Sequence, residues 1–457
     1  MAGCLTRHVT KSALAGLLPA WLPAQRWFAG GASELASVDV TSEVTLADGD
    51  PGLVHLMVDV VVGNERVGYQ VPVGISSSLP DALTSARIGT LPDGRVAYDA
   101  MADSELTAVL IRGIAAGRHA GPLRFGTEPG AVVDADASPR ALPPLASNTS
   151  VVFGDKAILK VLRRPFAGPH PDLEVPAALA RNGSKLVAAP LGWIELAGCG
   201  QSQPVQATES ESSVLAILSV FFPGSADGWS LATASLHESD QDFGDQARLL
   251  GAATARMHAE LADAFGSSVL SSFALGDLVD AMKAELAHAL RVVPDLRTHA
   301  SAIRACYESL TERHAQVAVQ RIHGDYHLAQ VLGTTSGWVV LDFEGEPSVP
   351  LARRRAFAPA LRDVAGMLRS FDYAGRHEAL HHPRDRRLAE AASAWIRRCQ
   401  DAFCAGYAEV IGEEPRSSEQ LLRALILQKA VYEAVYEARH RPGWLPIPLA
   451  AIAEASR

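Results

Sequence analysis

His323-Gly324-Asp325-Tyr326-His327-Leu328-Ala329-Gln330, followed by Val339-Val340-Leu341-Asp342-Phe343-Glu344, is the stretch whose reading decides the fold. It reads as a compact strand–loop–strand insert, His323 to Phe343, in a chain that is otherwise mainly helical from Ala247 onward. Asp325 stands five residues before an amide oxygen, Gln330, and Asp342 closes an apolar strand twelve residues later. Phosphoryl transfer to a hydroxyl needs a carboxylate to take the proton, oxygen ligands for magnesium and a cation on the phosphate tail. Asp325 is the expected catalytic base. Gln330 and Asp342 offer the hard oxygen donors that magnesium prefers. The spacing also matches the protein-kinase pattern of a catalytic-loop aspartate, a metal-binding amide and a later strand-end aspartate. A zinc reading of His323 and His327 fails, because no Glu follows the first His and Gly324 disfavours a continuous helix.

Working outward, the preceding chain is richer in strands. Val54 to Val62 and Val67 to Val73 read as a hairpin turning at Gly63-Asn64. Glu105 to Ala116 reads as a helix, and Gly130 to Pro144 as a loop. Thr149 to Phe153 and Ala157 to Leu162 form a second strand pair around Gly154-Asp155, and a helix runs from Asp172 to Arg181. Val214 to Phe222 is again strand-like. On the helix from Leu421 to about Arg439, Lys429, Tyr432, Glu433, Tyr436 and Glu437 share one face. Aromatic faces and charged groups together suit a sugar; the same stripe also suits the solvated side of an amphipathic helix.

The composition fits this reading. The chain has 457 residues, enough for two or three packed units. Hydrophobic residues make up 48% and charged residues 20%, as in a globular protein rather than a disordered one. A net charge of −10 without a basic run argues against a nucleic-acid partner. Five scattered cysteines with no Cys-x-x-Cys pair argue against a disulfide framework and point to a reducing, cytoplasmic setting. The apolar stretch Leu14 to Leu22 is broken by Pro19 and runs past Pro23 into Gln25-Arg26-Trp27, so it does not read as a secretory signal. No apolar run reaches the roughly 20 residues of a membrane span.

These segments resemble the actinobacterial maltokinases and their relatives. The resemblance is carried by Gln25 to Gly30, Ser147-Asn148-Thr149-Ser150, His323 to Gln330, Asp342 to Pro347, Arg362 to Phe371 and Lys429 to Pro448. It implies an α+β, bilobal protein-kinase-like (aminoglycoside phosphotransferase-like) fold with an N-terminal cap subdomain. It also implies ATP and Mg2+ as cofactors and a sugar as acceptor. Expected domains are a cap over residues 1–90, a nucleotide-binding N-lobe over 91–222, and a mainly helical C-lobe over 223–457. By resemblance, Ser147, Asn148, Thr149 and Ser150 are the phosphate-covering turn, Lys160 is the strand lysine on the phosphates, and Glu174 is its helix partner. His323, Glu344, Lys429, Tyr432, Glu433, Tyr436 and Glu437 are expected to contact the sugar. Arg441 and Trp444 extend that wall, whereas Gln25 to Phe28 reads as structural.

The pattern departs from that of typical maltokinases at Leu145-Ala146, at Phe357 to Ala360 and at Leu425 to Gln428, where polar residues are replaced. A site built to hydrogen-bond a given hydroxyl discriminates strongly, so these changes imply a different sugar. The chain resembles the divergent branch of glucosamine kinases, which form glucosamine 6-phosphate, with Glu433 or Glu437 as partners for an ammonium at C2. The alternatives are a maltokinase forming maltose 1-phosphate and a pseudokinase-like binding module. The module is expected to lack one of Lys160, Asp325 or Asp342, and all are present.

Overall fold

A computed structural model describes residues 2–28, 35–63, 65–142, 148–198, 212–236, 243–312, 316–346, 349–377, 379–380 and 385–456. The chain forms two compact units, Met1–Ala177 with Ala188–Pro223, and Ala178–Val187 with Gly224–Arg457.

The first unit opens with helix α1 (Ala2–Trp21) and a five-stranded antiparallel sheet. Its strands are β1 (Leu35–Ala47), β2 (Gly52–Val62), β3 (Glu65–Ser76), β4 (Arg87–Thr90) and β5 (Val96–Asp99), in the order β1-β2-β3-β5-β4. The expected hairpin is β2–β3, with Val54 opposite Val73 and Val60 opposite Val67. Alternate residues of β2 (Val54, Leu56, Val58 and Val60) are buried in one cluster with Leu14, Leu18, Trp21 and Trp27. That is the period of two that a half-buried strand requires.

Helix α2 (Ser104–Ala115) follows, capped by Asp103. Then come β6 (His119–Ala120), β7 (Leu123–Thr127), β8 (Pro139–Ala141), β9 (Asn148–Phe153), β10 (Ala157–Leu162), helix α3 (Pro171–Arg181), β11 (Pro190–Leu196) and β12 (Ser213–Val220). These seven strands form one sheet, β6-β7-β11-β12-β10-β9-β8.

Two buried polar side chains tie this sheet to the five-stranded one. Gln70 on β3 donates from Nε2 to the carbonyls of Leu162 (2.7 Å) and Leu215 (2.5 Å), while its Oε1 meets His55 Nε2 at 2.9 Å. Burial pushes the His55 pKa down to about 4, so the ring is a neutral donor at pH 7. Arg163, 1% exposed, donates to Asp99 (2.7 Å) and Thr149 Oγ1 (2.9 Å) and lies 4.7 Å from the centre of the Trp27 ring. Arg163→Ala leaves the Asp99 carboxylate without its cation. Breaking a buried pair in this way costs about 3–5 kcal/mol. Urea unfolding is expected to register that loss; a change below about 1 kcal/mol would assign the brace no weight.

The second unit is mainly helical. Its elements are β13 (Ala226–Asp227), α4 (Gly228–Ala234), α5 (Gly244–Phe265), β14 (Ser267–Val269), α6 (Ser272–Val292), α7 (Ala300–Glu312), β15 (Ala318–Gln320), β16 (Val331–Thr334), β17 (Gly337–Val340), α8 (Leu351–Arg354), α9 (Leu361–Arg376), α10 (Arg386–Ile411), α11 (Glu419–His440) and α12 (Pro446–Ala455). Helices α5 and α10 touch backbone to backbone: a Cβ on Gly251 would stand 2.0 Å from the Phe403 carbonyl. Among the described residues no helix is long and apolar enough to cross a membrane.

Candidate active site

The loop carrying Asp325 is clamped by helix α9. Asp363 accepts the backbone N–H groups of His323 (2.8 Å) and Gly324 (2.9 Å), one on each carboxylate oxygen. His258 Nε2 lies 3.1 Å from the same carboxylate, and its Nδ1 meets the Tyr407 hydroxyl at 3.0 Å. Burial works against the charge on Asp363, but the His258 hydrogen bond and the Gly324 N–H outweigh it and lower its pKa. The Leu328 N–H donates to Ser370 Oγ at 3.0 Å. Gly366 permits the close approach, since a Cβ there would meet the Tyr326 carbonyl at 2.6 Å. Asp325 itself is half-buried and takes no part in the clamp.

His323 is 1% exposed and both ring nitrogens face backbone. Its Nδ1 accepts from the Asp325 N–H (3.3 Å), and its Nε2 donates to the Leu341 carbonyl (2.8 Å). This corrects the expectation that it touches sugar. It ties the Asp325 loop to the residue before Asp342, and its neutral Nε2–H form satisfies both bonds.

Strands β16 and β17 form the expected antiparallel pair, Val331 opposite Val340 and Thr334 opposite Gly337. Past their open end the Leu341 N–H donates to the Gln330 carbonyl at 2.8 Å, which brings Gln330 and Asp342 together. Asp342 has φ 61°, the one non-glycine residue at positive φ among those described. Such strain gathers at functional sites. A carboxylate and an amide oxygen are a hard donor set, so the pair fits magnesium.

Beside Asp325 opens a cavity of about 780 Å3. Lys429, Tyr432, Glu433, Tyr436 and Glu437 all line it, as the helical spacing predicts, and so do Arg441 and Trp444. Sequence reasoning missed Trp229, His327 and Glu346. Trp229 stacks toward Trp444 at 6.4 Å, and Tyr432 toward Tyr436 at 6.5 Å, so aromatic faces wall two sides. Glu344 lines neither this cavity nor the adjoining one of about 270 Å3; Glu346, which alternates one step further, lines both. Leu425 and Gln428 face the smaller cavity. Ala358 lines neither, its backbone being paired with Gln320.

Charge in the large cavity is closely matched. Lys429 Nζ lies 3.4 Å from Asp325 Oδ1 and 3.7 Å from Glu346 Oε2. Burial disfavours its charge, but Asp325, Glu346 and Glu433 overcome this and raise its pKa above that of an ordinary lysine. Glu437 accepts from Arg441 (2.6 Å) and from the Tyr373 hydroxyl (3.1 Å). Glu433 Oε2 accepts from Arg369 Nε at 2.9 Å, while its Oε1 makes no hydrogen bond among the described residues. Burial raises the Glu433 pKa, with Arg369 and Lys429 only partly offsetting it. A further cation would therefore stabilise this carboxylate.

In the first unit, Lys160 on β10 pairs with Asp172 of α3 at 2.9 Å. Asp172 stands two residues before Glu174, the partner that the resemblance implies, in the first turn of the same helix. Asn148, Thr149 and Ser150 are buried in strand β9, opposite Leu162, Val161 and Lys160, and do not form a turn. The β-branched, apolar run from Thr149 to Phe153 favours the strand, and the Thr149 hydroxyl is held by Arg163. Ser147 and Leu145-Ala146 lie outside the described residues.

Comparison with known proteins adds four findings. Residues 21–103 match the family model of the maltokinase N-terminal cap domain. A glucosamine kinase of Streptacidiphilus jiangxiensis is 32% identical over 319 residues, spanning 66% of this chain and 70% of that protein. A glucosamine kinase of Mycolicibacterium smegmatis is 29% identical over 319 residues, spanning 67% and 76%. Among solved structures, a glucosamine kinase in complex with glucosamine, ADP and inorganic phosphate shares the fold, with a TM-score of 0.68, 24% identity, and 96% of this chain and 98% of that chain covered.

Proposed function

The chain belongs to the glucosamine kinase family, and from that footing we propose that it transfers the terminal phosphoryl group of ATP to the 6-hydroxyl of glucosamine. The observation that carries the reading is Asp325 at the edge of a cavity furnished with carboxylates and aromatic faces. The acceptor hydroxyl gives its proton to the Asp325 carboxylate. Its oxygen bonds to the γ-phosphorus as the bond to the bridging oxygen breaks, and ADP leaves. Lys429, with Nζ 3.4 Å from Asp325 Oδ1, holds that carboxylate in place. Lys160, oriented by Asp172 and helped by Glu174, binds the phosphate tail, and Ser147 is a further phosphate contact. Gln330 and Asp342 would hold magnesium, which would supply positive charge to the phosphate oxygens.

Glu433 is the proposed partner of the ammonium at C2. Its Oε1 is open to a charge-assisted bond, and its raised pKa falls when a cation arrives. Tyr432, Tyr436, Trp229 and Trp444 supply the stacking faces. The kcat/KM for glucosamine is expected to exceed that for maltose by about a hundredfold or more, since each unpaired buried hydroxyl costs roughly 1–3 kcal/mol. N-acetylglucosamine, with its charge blocked, is expected to be a poor acceptor. A higher kcat/KM for maltose, or indifference to acetylation, would overturn the amino-sugar assignment.

A further inference from the structure

A third cavity, of about 610 Å3, lies in the mainly helical unit, walled by α9, α10, α11 and α12. It lies across Arg369 from the acceptor cavity. Five arginines line it against three acids, Asp372, Glu419 and Glu454. Three of the five are already engaged. Arg369 binds Glu433 and Asp372, Arg376 binds Asp372 (2.6 Å) and Glu454 (3.0 Å), and Arg416 binds Asp401 (2.7 Å). The other two have unused donors. Arg397 makes no hydrogen bond or ion pair among the described residues, and Arg423 uses only Nε, toward the Ala455 carbonyl at 2.6 Å. Guanidinium forks with spare donors are the usual partners of phosphate oxygens.

The cavity is wired to the acceptor site. Arg369 and Asp372 are 3% and 4% exposed, and they stand in an unbroken chain of ion pairs, Glu433–Arg369–Asp372–Arg376–Glu454. Glu433 is at one end, in the acceptor cavity; Arg376 and Glu454 are at the other, in the arginine-lined one. Asp372 divides its two oxygens between Arg369 and Arg376.

We propose that this cavity is a regulatory site for a small phosphorylated metabolite, whose occupancy lowers the KM for the acceptor through the Arg376–Asp372–Arg369–Glu433 chain. A phosphate held by Arg397 and Arg423 draws Arg376 toward itself. Asp372 then turns more fully to Arg369, which loosens its hold on Glu433. Glu433 becomes a better partner for the sugar ammonium. This coupling rests on the acceptor reading above, whereas the binding site itself does not.

Glycerol 3-phosphate is a suitable probe, since it carries a phosphate dianion and no amino-sugar ring. Calorimetry on the full chain without nucleotide is expected to give one binding event, weakened at least about tenfold in R397A/R423A. Arg397→Ala alone, at an exposed position, serves if the double variant does not fold, with an expected loss of at least about threefold. No binding, or equal binding to wild type and variants, overturns the site, whichever sugar is the acceptor. In turnover assays the probe is expected to lower the glucosamine KM by about threefold in wild type and to leave it unmoved in the double variant. Linkage demands that glucosamine tighten probe binding by the factor by which the probe lowers the calorimetric Kd of glucosamine. Binding with an unchanged or raised KM overturns the relay.

Discussion

Asp325→Asn is expected to lower kcat by about 10²–10⁴-fold, the usual contribution of a positioned general base, while glucosamine and nucleotide still bind. The variant keeps the shape of the side chain and removes its ability to take the proton. The fold should survive, because the loop is held by groups other than the Asp325 carboxylate. Asp363 holds the backbone of His323 and Gly324, His323 bridges to Leu341, and Ser370 holds Leu328. Lys429 loses one partner but keeps Glu346 at 3.7 Å. Calorimetric binding of glucosamine beside steady-state kinetics separates the two effects. Turnover within tenfold of wild type would move the catalytic role elsewhere.

Asp342→Ala is expected to reduce turnover by about a hundredfold or more, equivalent to roughly 3 kcal/mol of lost charge stabilisation. The magnesium concentration for half-maximal rate should rise with it. Positive φ at residue 342 is itself unfavourable for alanine, so Asp342→Asn is the better-matched companion, since asparagine tolerates that conformation. If both variants follow the wild-type magnesium curve, Asp342 serves the turn and not the metal.

The parts of the site that sequence reveals are those within one local element. Asp325, Gln330 and Asp342 fall in a single strand–loop–strand insert, and the β16–β17 pairing that joins its ends follows from the apolar runs alone. The cavity-lining stripe of α11 is likewise a matter of helical spacing. Asp363 is different. It reaches the Asp325 loop from forty residues away, and nothing local marks it as a ligand of backbone N–H groups. Trp229 and Glu346 join the cavity only through tertiary packing. Asn148 to Ser150 teach the opposite lesson: local propensity favoured a strand, and the family analogy displaced it with a turn. The paired state of Glu437 with Arg441 and Tyr373 also depends on packing, and it leaves Glu433 as the better candidate for the ammonium.

The most direct test of the central claim is phosphorus NMR of the chain incubated with ATP, magnesium and glucosamine. The expected result is one sugar-phosphate resonance growing in step with ADP, its coupling pattern assigning the phosphate to the 6-hydroxyl. Intact ATP, release of inorganic phosphate without a sugar ester, or an ester at another hydroxyl would contradict it.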